Sequence, residues 1–105
     1  MSLANISLTT SAQDVFTCAN AGGSAITSVV FYNSDTVTHN VSLHACPANE
    51  AQTVENQLIK VAIPAGESYL FSAKIILANT DTLTALNAEA NTTTAVGCTV
   101  SYLNL

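Results

Sequence analysis

The sequence contains no arginine, and its basic residues other than two histidines are Lys60 and Lys74. Seven acidic residues bring the net charge to −5. Proteins that bind nucleic acid neutralise its phosphates with several Lys or Arg contacts, and anionic membranes attract basic clusters. We therefore predict that neither nucleic acid nor a membrane is a partner of this chain.

Charge of either sign is scarce, at 9% of the 105 residues, whereas apolar residues make up 49%. An ordinary soluble domain has about 25% charged residues. The polar surface must therefore come from neutral Thr, Ser and Asn side chains. Because a solitary monomer usually keeps more charge for solubility, we expect that other subunits cover much of this surface in a homo-oligomer.

Long apolar runs are also missing, so no segment approaches the ~20 residues of a membrane-spanning helix. The N-terminal MSLANISLTT lacks the basic region and apolar core of a secretory signal. Three cysteines, Cys18, Cys46 and Cys98, are an odd number that does not predict a disulfide framework. We expect them to be small, buried, free side chains.

No arrangement of residues typical of catalysis is visible. His39 and His44 are separated by an odd number of residues, which places them on opposite faces of a strand. His44 and Cys46 share a face, but no second pair completes a zinc site. The acidic residues are scattered singly, and nucleophile and phosphate-binding motifs are absent. We predict no enzymatic activity, no metal and no cofactor, and a core or interface role for His39.

Residues 24–46 contain the clearest structural pattern, because two β-rich runs flank the turn signal Asn33-Ser34-Asp35. The first run is apolar on both faces. In the second, one face is apolar and includes His39, while Ser42, His44 and Cys46 are on a face that we expect to be wet. We predict that the two runs pair as a central hairpin.

Further short runs alternate between apolar and polar residues or are apolar throughout, with turn residues between them. Within residues 54–63, apolar spacing also allows a helix, but β-branched alternation favours a strand over 58–63. Gly97 inside the last run indicates a bulge. We predict a single all-β domain over residues 1–105, an antiparallel β-sandwich or jelly roll of about eight strands, with runs at 5–10, 13–18, 26–32, 36–46, 58–63, 69–73, 75–77, 82–86 and 94–105.

Three segments together resemble small virion structural proteins of tailed bacteriophages: SVVFYNSDTVTHNVSLHACPA (28–48), IPAGESYLF (63–71) and KIILANTDTLTA (74–85), closed by TVSYLNL. The resemblance covers residues 24–105. It implies a non-enzymatic β-sandwich on the phage particle that is assembled in the cytoplasm of the host bacterium. The implied role is a capsid decoration or cement protein, often trimeric, that binds the major capsid protein.

Two alternatives remain open from the sequence. One is an adaptor in the neck, tail or baseplate, and the other is a module that binds carbohydrate on a host surface. Position at chain ends and in the polar loop 47–53 predicts the contact segments of an assembly. The predicted contact residues are Ser2, Leu3, Ile6, Leu8, Pro47, Asn49, Tyr102, Leu103 and Leu105.

Overall fold

The computed structural model describes residues 2–8, 13–48, 50, 53–72, 74–87 and 96–105. A short 3₁₀ turn at Val54–Asn56 precedes the fifth of the nine strands that these residues form. The strands are β1 (Ser2–Ser7), β2 (Gln13–Thr17), β3 (Ser24–Asn33), β4 (His39–Cys46), β5 (Gln57–Ile63), β6 (Ser68–Phe71), β7 (Ile75–Leu77), β8 (Thr82–Asn87) and β9 (Val96–Asn104).

The strands form two antiparallel sheets that pack as a sandwich. The five-stranded sheet has the order β1-β9-β3-β6, with β7 also paired to β3, and the four-stranded sheet has the order β2-β8-β4-β5. β6 and β7 pair with successive halves of β3, so together they act as one interrupted strand. Successive strands of the chain mostly alternate between the two sheets, and the resulting strand order is that of a jelly roll. The predicted fold class is confirmed.

The predicted central hairpin is wrong. β3 pairs with β9 on one side and with β6 and β7 on the other, whereas β4 pairs with β5 and β8. The chain therefore crosses from one sheet to the other between β3 and β4. Turn residues signal a change of direction, but they do not determine which strand becomes the neighbour in the sheet.

The buried side chain of Asn33 stabilises this crossover. Its Nδ2 donates to the carbonyl oxygens of Val37 at 2.8 Å, Ile63 at 2.9 Å and Pro64 at 3.3 Å, and its Oδ1 accepts from the backbone N–H of Asp35 at 2.9 Å. One amide thus joins the β3–β4 crossover to the β5–β6 crossover.

Apolar side chains from both sheets meet in one core, as the alternating pattern predicts. The central members from the five-stranded sheet are Ile26, Val29, Phe31, Val96, Cys98 and Val100, and those from the four-stranded sheet are Val41, Leu43, Leu83 and Ala85.

The second face of β4 is not wet, contrary to the prediction. Ser42, His44 and Cys46 are all buried. Nδ1 of His44 lies 3.0 Å from the carbonyl oxygen of Thr53 and 2.9 Å from Oδ1 of Asn56, so it carries the hydrogen that these oxygens accept. The segment around the 3₁₀ turn therefore covers this face, which alternation within β4 does not reveal.

Other boundaries differ by a few residues. β1 begins at Ser2 rather than at residue 5, and Thr9 and Thr10 lie outside the described residues. Val37 precedes β4 and is 53% exposed. In the β3–β9 ladder the bulge lies on β3 at Thr27, between the pairs that Ile26 and Ser28 make with β9, and not at Gly97. The prediction of a strand at 58–63 is confirmed, because β5 spans Gln57–Ile63.

The turn between β7 and β8 contains Thr80 at a φ of 76°. A β-branched residue is strained in this left-handed region, at a cost of roughly 1–2 kcal/mol. Hydrogen bonds compensate, because Thr80 N–H donates to Cys18 O at 2.8 Å and the Asp81 carboxylate accepts from the N–H groups of Ala48 and Ala78.

We expect Thr80→Gly to raise the free energy of unfolding by about 0.5–1 kcal/mol, since glycine adopts this φ without strain and loses only part of that gain to chain entropy. Denaturant unfolding measures the change. Thr80→Ala keeps a Cβ at the same φ and should gain much less. Equal stabilisation by both variants would contradict the strain argument.

Candidate assembly surfaces

The five-stranded sheet carries no charged residue in any of its strands. Its outer face consists of Ser, Thr, Asn and Gly together with apolar side chains. Five of the large hydrophobic side chains are strongly exposed: Leu3 at 63%, Tyr32 at 51%, Leu70 at 59%, Ile76 at 64% and Leu103 at 48%. All nine charges of the chain thus lie outside these strands, and we consider this face the candidate functional surface.

Register places the exposed apolar residues in cross-strand rows. Ile76 and Leu103 both pair with Ala25, so they flank it on the outer face. Leu70 pairs with Val30, whose other neighbour is Thr99. Leu70 and Ile76 were not among the predicted contact residues. The alternation of Leu70 with Tyr69 and Phe71 was a usable signal for its exposure.

Six of the nine predicted contact residues lie toward one end of the sandwich. Ser2 pairs with Tyr102 at that end, where β3 begins beside Asn104 and where β4 ends just before Pro47. Ser2, Leu3, Pro47, Leu103 and Leu105 are exposed, and Tyr102 is half-buried with its ring centroid 4.4 Å from that of Phe16.

The prediction needs correction at Ile6 and Leu8. Leu8 is fully buried in the core, and Ile6 packs against the core while half-buried. Their side chains face inward because they alternate with Leu3, Asn5 and Ser7 on β1. Asn49 lies outside the described residues.

The C-terminal residues are held by a compact set of hydrogen bonds. Leu105 N–H donates to Gly23 O at 3.0 Å, and Asn20 Nδ2 donates to Leu105 O at 2.9 Å. Gly23 has a φ of +89°, and a Cβ there would lie 2.8 Å from the carbonyl oxygen of Leu77. The exposed Leu103 and Leu105 are therefore presented on ordered backbone.

A cleft of about 370 Å³ lies beside Pro47. It offers carboxylates, side-chain amides and one hydroxyl group, and no aromatic ring on which a sugar could stack. Its lining residues are Ala45, Pro47, Glu50, Thr53, Glu55, Asn56, Gln57 and Leu58.

His39 is fully buried, as its position on the apolar face predicts, and its Nε2 lies 2.8 Å from Oδ2 of Asp35. The hydrogen bond with His39, aided by the Thr36 backbone N–H at 2.7 Å from Oδ1, holds the pKa of Asp35 below its ordinary value of 3.8. A carboxylate whose pKa is lower in the folded state than in the unfolded chain stabilises the fold at pH values above the unfolded-state pKa. This contribution is lost as the pH falls through the lowered, folded-state pKa.

We therefore expect Asp35→Asn to reduce the free energy of unfolding at pH 5–7, with the deficit relative to wild type shrinking as the pH falls below 3.8. Denaturant unfolding at several pH values measures it. In a His39→Gln background the same substitution should have a smaller effect. A deficit that is constant down to pH 2 would contradict the assignment.

All three cysteines are free and buried, as predicted. Burial raises the pKa of Cys98 to about 12, so its thiol is a poor nucleophile at neutral pH. Among the described residues, no group of three His, Cys, Asp or Glu side chains is placed to hold a metal ion. Likewise, no helix in the described part of the chain is long and apolar enough to span a membrane.

Comparison with known proteins yields a similarity of fold. No protein-family model and no curated protein matches the chain. The structure is similar to a solved structure described as Bacillus endospore appendages that form a novel family of disulfide-linked pili. The TM-score is 0.52 at 14% sequence identity, and the match covers 99% of this chain and 84% of that chain. At this identity the chain shares with that pilus protein an overall fold.

Proposed function

We propose that this chain is a non-enzymatic structural subunit present in many copies on a larger protein assembly. The first candidate is a decoration or cement protein on the capsid of a tailed phage, bound to the major capsid protein. The observation that carries the proposal is the charge-free five-stranded sheet with Leu3, Leu70, Ile76 and Leu103 exposed on its outer face.

Such a face is well suited to being covered by protein. Burying a charge costs several kcal/mol unless it finds a partner, whereas hydroxyl and amide groups are satisfied by single hydrogen bonds. Each exposed apolar side chain adds about 25 cal/mol per Å² of area removed from water. The acidic residues lie outside the strands of this sheet, and such charges keep a particle surface soluble.

Quantitative mass spectrometry of purified particles tests this function. We expect a copy number near one per capsid subunit, or one per few. A handful of copies per particle would instead support the neck, tail or baseplate adaptor. Complete absence of the chain from particles would overturn the virion proposal.

A second candidate is a subunit of an extracellular fibre, because the fold is similar to that of the endospore appendage pili. The linkage would differ from the disulfides named for those pili, since Cys18, Cys46 and Cys98 are all buried. Electron microscopy of concentrated purified protein distinguishes the two: filaments that persist in a thiol reductant favour the fibre, and discrete oligomers favour the capsid role.

A further inference from the structure

Each sheet ends in edge strands, and the four edges of this sandwich differ in how well they resist pairing with another chain. Proteins protect edges with charges, bulges and short strands. β2 carries Asp14 and a bulge between Asp14 and Phe16. β5 carries Lys60. β6 and β7 have four and three residues, and Lys74 lies in the interruption between them.

β1 has none of these protections. Its six residues, SLANIS, are uncharged and contain no proline. They pair with β9 in an unbroken register from Ser2–Tyr102 to Ser7–Gly97. Leu3 at its exposed end is 63% accessible. Of the four edges that the described residues form, β1 is therefore the one open to strand addition.

The direction of the free hydrogen-bonding groups follows from the ladder. Leu8 N–H donates to Val96 O at 2.8 Å, which identifies a hydrogen-bonded pair. Such pairs alternate along antiparallel strands, so Ile6 and Ala4 also bond to β9. The N–H and C=O groups of Leu3, Asn5 and Ser7 consequently point away from β9, along the open edge.

We propose that β1 pairs with β1 of a second copy of this chain, antiparallel and about a two-fold axis. This assignment rests on the proposed function, because it names one partner that the structural subunit uses. One register satisfies all three outward residues: Asn5 opposite Asn5 of the second copy, and Leu3 opposite Ser7. The Leu3–Ser7 pair occurs twice, once on each side of the two-fold axis, so there are three pairs. Each pair exchanges two backbone hydrogen bonds, which gives about six in all.

Charge permits a second copy as the occupant. The copies carry −5 each and repel one another wherever acidic residues meet, but β1, β9 and β3 bring no charge to this contact. The acidic residue of the neighbouring edge, Asp14, is exposed on β2 of the other sheet. Antiparallel self-pairing is also self-complementary, as a two-fold interface requires.

Asn5→Pro tests the pairing directly. Proline removes the outward N–H of residue 5 but none of the β1–β9 bonds, so it is tolerated on this edge. Asn5→Thr is the matched control, because it loses the same amide side chain, including the bond from Thr99 Oγ1 at 2.7 Å, and keeps the N–H. Asn5→Lys keeps the N–H and places like charges opposite each other, as a second disrupting variant.

We expect sedimentation velocity and native mass spectrometry to show dimers, or multiples of dimers, for wild type and Asn5→Thr. Asn5→Pro and Asn5→Lys should weaken self-association about tenfold or more. In wild type at high concentration, the outward backbone amides of Leu3, Asn5 and Ser7 should be protected from hydrogen exchange. The amides of Leu3 and Ser7 should exchange more slowly in wild type than in Asn5→Lys.

A monomeric wild type, a trimer as the phage resemblance implies, or association unchanged in both disrupting variants would each overturn the β1 pairing. These results leave the copy number in particles unaffected, so failure of this inference is distinguishable from failure of the proposed function. A chain absent from particles that still dimerises through β1 would keep the inference and remove the virion role.

Discussion

Replacement of Asn33 by alanine is expected to lower the free energy of unfolding by about 3 kcal/mol. The side chain is fully buried and serves three carbonyl oxygens and one N–H. Each buried polar group left without a partner costs about 1–3 kcal/mol. Urea or guanidinium unfolding, followed by circular dichroism, measures the loss.

Asn33→Asp is the more discriminating variant. A carboxylate has nearly the same shape but cannot donate to the carbonyl oxygens of Val37 and Ile63, and burial penalises its charge. We expect it to be at least as destabilising as alanine at pH 7, with partial recovery as falling pH protonates the buried carboxyl. An Asn33→Asp protein as stable as wild type at pH 7 would show that the crossover does not depend on these bonds.

Phe31→Ala is expected to cost about 4 kcal/mol, a large share of the 5–15 kcal/mol available to a domain of this size. Phe31 is fully buried near the C-terminal end of β3, between Cys98 of β9 and Tyr69 of β6. Its loss removes apolar contact area and leaves a cavity between the sheets that neighbouring side chains fill only in part. Thermal and denaturant unfolding report the change.

Tyr32→Ala is the matched control, because Tyr32 is the next residue on the same strand, faces outward and is 51% exposed. It should cost about 1 kcal/mol or less in stability. If the outer face is an assembly surface, Tyr32→Ala should instead weaken association with the particle. Equal loss of stability in both variants would contradict the inward and outward assignment of β3.

Sequence alternation predicted most of the inward-facing residues correctly. Val41, Leu43, Leu83 and Ala85 are buried as expected. The same holds for Val96, Cys98 and Val100 on β9. Successive side chains of any strand point to opposite faces, so this property depends on local backbone geometry alone.

The candidate surface was predicted less completely. The chain ends and Pro47 were singled out by position, and the structure places Ser2, Pro47 and Leu105 toward one end of the sandwich. Leu8 was included wrongly, and Leu70 and Ile76 were missed. A short apolar run such as Ile75-Ile76-Leu77 does not tell which side faces solvent until its neighbour in the sheet is known.

The sequence by itself determined that this is an all-β chain with few charges and free buried cysteines, because each of these follows from composition or from a period of two. The tertiary structure alone decided that β3 pairs with β9 rather than with β4, that residues 53–56 cover His44, and that β1 is left at an open edge. Strand pairing joins residues far apart in the chain, as with Phe31 and Cys98, and the same local pattern is compatible with many such partners.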